Sequence, residues 1–518
     1  MTSAAASADE RRGCSARSGR LLKPALSYIG RFLTAMQEGL WDPKTNPDGW
    51  IPLVVAENKL NNAEVLARLQ EGSKDAPEWV MNYGSMRGVP QLQAAMARLL
   101  ERFLLPGFTV DPSKLCISAG CTAIIDNLIY ALCDEGDGVL IPAPYYPAFD
   151  NDLQAKCCVH PLPFYLSEEA AADGLPIRQQ LDAAVEDARG FGVPVKALLI
   201  TNPNNPLGTI YSDETIKEAI AWCLDNRVHY ISDEVYALSV FKEHARFTSA
   251  LLLAQQLVGT PSAAAASNSN DGPADGAADG SEVGASTSPA AVAAAEADGD
   301  AAAASVAGLS LADGSNSTST SGGGSGGGSY TQRQVNDYVH MVYGLSKDWC
   351  ASGLRVGMLY SRNTRLQKAL DNISAFSTIS NFLQWGLIQM LSDHEWAAGF
   401  LQRNQRSLEA SYDALAGALE AEGIPFTPAV SGMFVWVDLR RWLAEPTWEA
   451  EEEFWRNVCD RCKVILTPGK DCHAAEPGFF RLCFAWMPPK ALPEAVRRIK
   501  LLMGSGASGA GSSECSVQ

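Results

Sequence analysis

The run Val195–Thr201, VKALLIT, constrains this chain more than any other stretch. It is almost continuously apolar, with no in-and-out alternation. A short run of that kind reads as a strand buried on both faces, which requires a sheet covered by helices on each side. The flanking sequence repeats the theme. Val89 to Phe103 shows apolar spacing near 3.6, with Leu92, Ala95, Met96, Leu99 and Leu100 on one face. Strands are expected at Lys114–Ser118, Gly138–Ile141, Val228–Ser232, Tyr338–Leu345 and Leu354–Tyr360. Helices are expected from Gly120 to Leu132 and over Thr215–Leu224. Alternating units of this kind predict an α/β fold with a mostly parallel sheet, whose ligands bind at the carboxyl ends of the strands. After Arg362 the pattern turns to long helices, including Glu395–Glu422, and then to strand-like runs at Gly432–Leu439 and Phe479–Trp486. These predict a second, smaller α+β domain.

One stretch contradicts the rest. Pro261 to Ser329 has no aromatic residue, no Lys and no Arg, and it carries Asp271, Asp275, Asp279, Glu282, Glu296, Asp298, Asp300 and Asp313. Such a segment buries too little apolar surface to offset its ordering entropy, so it is expected to be a disordered loop expansion. It supplies a large part of the net charge of −18. The remainder is mildly acidic, which argues against a nucleic-acid partner, and no apolar run is long enough to span a membrane.

The 13 cysteines are scattered and follow no framework spacing, which favours a reducing compartment. Cys459 and Cys462 form a lone CxxC in a helix-like stretch, with Cys472 and His473 downstream. Without a second matched pair they read as packing residues, and no metal is expected. Four arginines in the first twenty residues faintly suggest a transit peptide, but Asp9 and Glu10 count against it; a cytoplasmic protein is expected.

The chemistry gathers at the strand ends. VKALLI runs into Thr201-Asn202-Pro203-Asn204-Asn205-Pro206, and HYIS runs into Asp233-Glu234-Val235-Tyr236. VHMVYGL runs into Ser346-Lys347-Asp348, with Arg355 close behind, and LCIS runs into the small-residue turn Ala119-Gly120-Cys121-Thr122. A lysine ending an apolar strand should have a lowered pKa and can form an imine. An acid after a buried strand can hold a pyridinium nitrogen protonated. A small-residue turn opening a helix cradles phosphate, and an arginine adds a bidentate contact. Each feature alone is ordinary, since strand-end lysines are usually solvated and NP stretches are usually turns. Together they point to pyridoxal 5'-phosphate (PLP).

The chain resembles fold-type I PLP enzymes of the class I/II aminotransferase group. Within that group it is similar to 1-aminocyclopropane-1-carboxylate (ACC) synthases and synthase-like proteins. The motifs are Val55–Leu60 (VAENKL), Pro142–Leu153 (PAPYYPAFDNDL), Leu198–Gly208, Ser232–Phe241, Gly344–Gly357, Ser431–Arg440 and Glu476–Trp486 (EPGFFRLCFAW). The resemblance implies a seven-stranded, mostly parallel sheet in a large PLP-binding domain over 74–375, interrupted at 261–329. It further implies a small domain over 376–503, an N-terminal segment over 26–73 packing with that small domain, and tails at 1–25 and 504–518.

It implies that Lys347 holds PLP covalently and acts as base at the substrate Cα, that Asp233 pairs with the pyridine nitrogen, and that Asn205 and Tyr236 bind the 3-oxygen. Tyr146 stacks on the ring; Cys121, Thr122, Ser346 and Arg355 serve the phosphate. Arg481 clamps the substrate carboxylate, and Glu57 lies near the substrate. Tyr83 reaches the cofactor of a neighbouring subunit, which implies a homodimer. The implied reaction turns S-adenosylmethionine into ACC and methylthioadenosine, with transamination of an L-amino acid, lyase chemistry and a quiet PLP-binding relative as alternatives. Two departures stand out. Gly344 replaces the serine that most relatives place three residues before the lysine. The NYGSMRG segment, with its longer spacing, fits aminotransferases and synthase-like proteins better than plant-type synthases.

Overall fold

The computed structural model describes residues 13, 15–22, 26–166, 177–260 and 329–505. The disorder expected over 261–329 and in the two tails concerns residues that, apart from Ser329 and parts of the tails, lie outside these. Across 261–328 the described flanks meet: Tyr330 N–H donates to Thr260 O (3.0 Å) and Gly259 N–H donates to Tyr330 O (2.9 Å). A chain that leaves and re-enters at one hydrogen-bonded point places no demand on the sheet behind it.

The short β1 (Ile51–Pro52) precedes the strands of the main sheet. These are β2 (Leu115–Ser118), β3 (Gly138–Ala143), β4 (His160–Tyr165), β5 (Val195–Thr201), β6 (His229–Asp233), β7 (Val339–Gly344) and β8 (Gly357–Ser361). Their order across the sheet is β2-β8-β7-β6-β5-β3-β4. All neighbours are parallel except at β8, which runs antiparallel to β2 and β7. The VKALLIT run is β5, as its apolarity predicts. Its side chains alternate between two cores on opposite faces: Leu198 and Ile200 join one, Ala197 and Leu199 the other. Tyr230 and Ile231 of β6, and Met341 and Val342 of β7, divide in the same way. Burial on both faces is why these strands carry no polar stripe.

The second lobe holds β9 (Phe426–Thr427), β10 (Phe434–Asp438), β11 (Val464–Ile465), β12 (Thr467–Pro468) and β13 (Phe479–Cys483). Four of them form a sheet in the order β12-β13-β10-β9, while β11 pairs in parallel with β1. Residues from Tyr28 to Val54 share one core with β10, β13 and the later turns of the His394–Ala421 helix. Lobe boundaries at residues 73 and 375 cut across other packing. The Asn62–Gly72 and Asn381–Ser392 helices lie against one another, and Val65, Leu69, Leu387 and Met390 belong to the core of the main sheet. Cys459 and Cys462 are buried at the end of the Trp448–Cys462 helix, in the second lobe's core.

Candidate active site

The carboxyl ends of β5, β6 and β7 deliver Asn205, Asp233 with Tyr236, and Lys347 to one place. A cavity there is lined by Cys121, Thr122, Tyr146, Asn205, Asp233, Tyr236, Ser346, Lys347 and Arg355, together with Asp152. Parallel strands put their carboxyl ends on one edge of the sheet, so residues far apart in sequence converge.

The Lys347 turn is braced from below. Asp348 is fully buried and accepts from Leu238 N–H (2.9 Å), Ser239 Oγ (2.5 Å) and Tyr343 OH (3.0 Å). It therefore ties the lysine turn to the segment that follows Tyr236. Trp349 stacks on Phe400 of the long helix, with centroids 5.6 Å apart. Burial lowers the Lys347 amine below its ordinary pKa. Its Nζ donates to Ala56 O at 2.5 Å.

Asp233 is buried and accepts from Thr201 Oγ1 (3.1 Å) through one oxygen, while its Oδ1 has no hydrogen-bond partner among the described residues. Burial pushes its carboxyl up to about 6. An orphaned acceptor in a closed pocket is costly unless something donates to it, and a protonated ring nitrogen is such a donor.

The floor opposite is a cradle. The Cys121–Leu132 helix begins at Gly120 with no side-chain cap, so its first N–H groups point free. Gly120 has φ +90°, and a Cβ there would sit 2.5 Å from Arg355 Nη2. A Cβ on Gly357 would sit 2.5 Å from Cys121 N. Both glycines let the Arg355 guanidinium and β8 press against the helix start. The Gly344 departure has a steric reason: a Cβ at that position would lie 2.6 Å from Cys121 Sγ and 3.0 Å from Val356 O. The thiol occupies the space into which a serine side chain would grow. Free N–H groups, an arginine and an orphaned acid at the other end fit a phosphorylated pyridine.

Arg481 on β13 is fully buried. Its Nη1 donates to Asn205 Oδ1 (3.0 Å), and its Nη2 to Val54 O (3.0 Å) and Thr467 Oγ1 (3.1 Å). All three are neutral acceptors, its Nε has no partner, and among the described residues no carboxylate pairs with it. Glu57 Oε2 accepts from Trp486 Nε1 at 3.1 Å. Tyr83 is not brought in: it is 98% exposed, on a surface shared with Met81, Asn82 and residues 378–381.

Asp152 escaped the sequence reading, although it lies inside PAPYYPAFDNDL, six residues after Tyr146. It sits on the Phe149–Gln154 helix, nearly buried, with no hydrogen bond to its carboxyl among the described residues. Burial first, then Asp126 and Asp233, push it up to about 7, against the pull of Arg355. An acid whose folded pKa exceeds its unfolded value, about 3.9, costs stability as it ionises. That cost grows as pH rises from the unfolded value to about 7 and is constant above. Asp152→Asn is therefore expected to raise the melting temperature of the cofactor-free protein at pH 8, and by clearly less at pH 5. Thermal melts at the two pH values check this, and an equal shift at both would disprove the assignment.

An α/β sheet with a buried lysine, a buried acid and an uncapped helix start beside an arginine at its carboxyl edge fits a lysine-centred cofactor enzyme. The family model described as aminotransferase class I and II matches residues 49–267 and 321–499, and the chain belongs to that family. The family works with PLP, and the protein is a PLP-dependent enzyme. It is 30% identical over 476 residues to a 1-aminocyclopropane-1-carboxylate synthase of Glycine max, covering 90% of this chain and 83% of the relative. It is also 30% identical over 487 residues to 1-aminocyclopropane-1-carboxylate synthase 4 of Oryza sativa subsp. japonica, covering 90% and 85%. Among solved structures it resembles the aspartate aminotransferase from Thermus thermophilus with maleate, with a TM-score of 0.64, 17% identity and coverage of 95% and 100%. The aromatic aminotransferase from Pyrococcus horikoshii OT3 gives a TM-score of 0.62 at 17% identity, covering 88% and 96%. At that identity the two structures share the fold.

Proposed function

We propose that the protein acts at the Cα of an α-amino acid, with S-adenosylmethionine as substrate and ACC and methylthioadenosine as products. The observation that carries the reading is Arg481. A fully buried guanidinium with only neutral acceptors and a free Nε needs an anion, and a substrate carboxylate supplies one within the reach of Asn205.

Bound PLP supplies an electron sink for the charge left at Cα. The chain's own residues do the rest. Arg481 fixes the carboxylate and so orients the Cα–H bond. Lys347, whose amine burial makes easier to deprotonate, takes and holds the Cα proton at Nζ. Asp233 keeps the ring nitrogen protonated through its free Oδ1. Asn205 Nδ2 donates to Tyr236 OH at 3.4 Å, which leaves the phenol proton free to bind the 3-oxygen. Cys121, Thr122, Ser346 and Arg355 line the cavity where they would hold the phosphate, and Tyr146 would cover the ring. The exposed Tyr83, beside Met81 (83% exposed), forms an apolar surface suited to a second copy of the chain, whose cofactor Tyr83 would approach.

Transamination is the second reading, favoured by the longer NYGSMRG segment around Tyr83. Mass spectrometry after incubation with S-adenosylmethionine, and separately with amino acids plus a 2-oxo acid, decides between them. ACC with methylthioadenosine is the expected pair; exchange of amino and keto groups alone would replace the first reading with the second.

A further inference from the structure

The amino edge of the main sheet, opposite the catalytic one, holds a cavity of 1070 Å³. His229 opens β6 there, Tyr338 stands just before β7, and Arg362 follows the last residue of the antiparallel β8. The Gln332–Tyr338 helix closes one side and is tied across by Asn363 Nδ2, which donates to Asp337 O at 2.8 Å. None of these groups takes part in the catalytic site.

A buried relay ends at this cavity. Ser361 and His340 are fully buried. Ser361 Oγ accepts from Asn363 N–H (3.2 Å) and lies 2.8 Å from His340 Nδ1. His340 Nε2 lies 3.0 Å from His229 Nδ1. Among the described residues, His340 Nδ1 is the one acceptor placed to take the serine proton. The serine therefore donates to Nδ1, which leaves the His340 proton on Nε2, facing His229 Nδ1. His229 must then carry its own proton on Nε2, which has no partner among the described residues, and its ring lines the cavity. Burial pushes His229 down to about 4, so the ring is neutral at neutral pH and keeps that tautomer. The relay presents one fixed N–H donor to the cavity.

The charge around this donor is positive. Arg362 is held by neutral acceptors alone: its Nε donates to Tyr360 OH (2.9 Å) and its Nη2 to Thr109 O (3.1 Å). Arg365 is exposed, and its side chain has no acceptor among the described residues. Arg333 adds a third guanidinium, 3.5 Å from Asp337, the one acid in the described lining. In a chain of net charge −18 this local excess runs against the average. Guanidinium forks and an N–H from separate elements match an anion with several oxygens. The cavity exceeds what a bare ion needs, and Leu132 and Leu366 give it an apolar floor for an organic part.

We propose that this cavity is a second ligand site, for a phosphate-bearing small molecule, with Arg362, Arg365 and the His229 N–H as its anchors. It stands apart from whichever reaction the catalytic edge performs.

Calorimetry of the full, PLP-loaded chain tests this, at about 0.15 M salt, where attraction between exposed charges is screened beyond about 8 Å. The probes are glucose 6-phosphate and inorganic pyrophosphate, with glucose as the neutral control. At least one of the two phosphates is expected to bind at a single site per chain, and glucose is expected not to bind. A preference between the two tells an organic from an inorganic ligand. Arg365→Gln is expected to weaken binding about tenfold, and Arg362→Gln by at least as much. Arg406→Gln, at an exposed arginine outside the cavity, should leave it within about twofold. His229→Phe keeps a ring and loses the N–H, and should weaken binding about fivefold. The exposed Arg365 side chain supports no other group, so its variant covers the case in which Arg362→Gln does not fold. No binding of either phosphate, or equal losses in Arg365→Gln and Arg406→Gln, would overturn the site. So would release of PLP as the phosphate binds, which would place the anion in the catalytic cradle instead.

Discussion

Lys347→Ala is expected to remove the visible absorption band of the PLP-loaded protein and to lower turnover by at least about 10⁴-fold, since both the covalent tether and the proton acceptor are lost. The fold should survive. The turn is held by Asp348, with its three donors, and by the stacking of Trp349 on Phe400, none of which involves the lysine side chain. Burial opposes the charge on Nζ, so its removal does not cost the folded state a favourable ion pair. Absorbance spectra of wild type and variant after reconstitution, with thermal melts as the structural control, measure the two sides separately. A variant that keeps the band would place the cofactor on another amine. A variant that loses the band and also melts far lower would make the lysine structural.

Arg481→Ala is expected to raise KM for every α-carboxylate substrate by roughly 10²- to 10³-fold, the scale of losing one partner of a buried, hydrogen-bonded charge pair. The reason is geometric as well as electrostatic. Arg481 is held rigidly by Asn205, Val54 and Thr467, so its fork is already aimed before a carboxylate arrives. Arg481→Lys should recover little of the loss, because an ammonium cannot present two parallel N–H groups. The amide of the same amino acid separates carboxylate recognition from general damage. It should bind wild type and variant nearly alike, and an equal loss for acid and amide would show that Arg481 serves packing instead.

Much of this was legible along the chain. β5 announces itself because a strand buried on both faces needs no polar residue. The strand-end groups Asp233, Lys347 and Asn205 are legible because each follows such a run directly. β4 was not legible. Its sequence, HPLPFY, carries Pro161 and Pro163, which argue against a central strand; it lies at the sheet edge, where a missing N–H costs little. β1 and β11 escaped because strands of two residues leave no periodicity. Asp152 was hidden because an acid in the first turn of a helix ordinarily faces water, and only the packing of that helix over the cavity buries it.

What the sequence determined by itself is local: which runs must be buried, and which reactive groups end them. The tertiary structure decided what meets what. Cys121 and Gly344 lie far apart in the chain, yet the thiol fills the space above the glycine because β8 and the helix start are pressed together through Gly357 and Gly120. Among the described residues Arg481 has no carboxylate partner, and Trp486 comes to hold Glu57, for the same kind of reason. Each depends on the alignment of the Val54–Lys59 segment with β13, a contact between elements some 400 residues apart. Side-chain periodicity encodes a face and not its partner, so these juxtapositions arise only when both lobes pack.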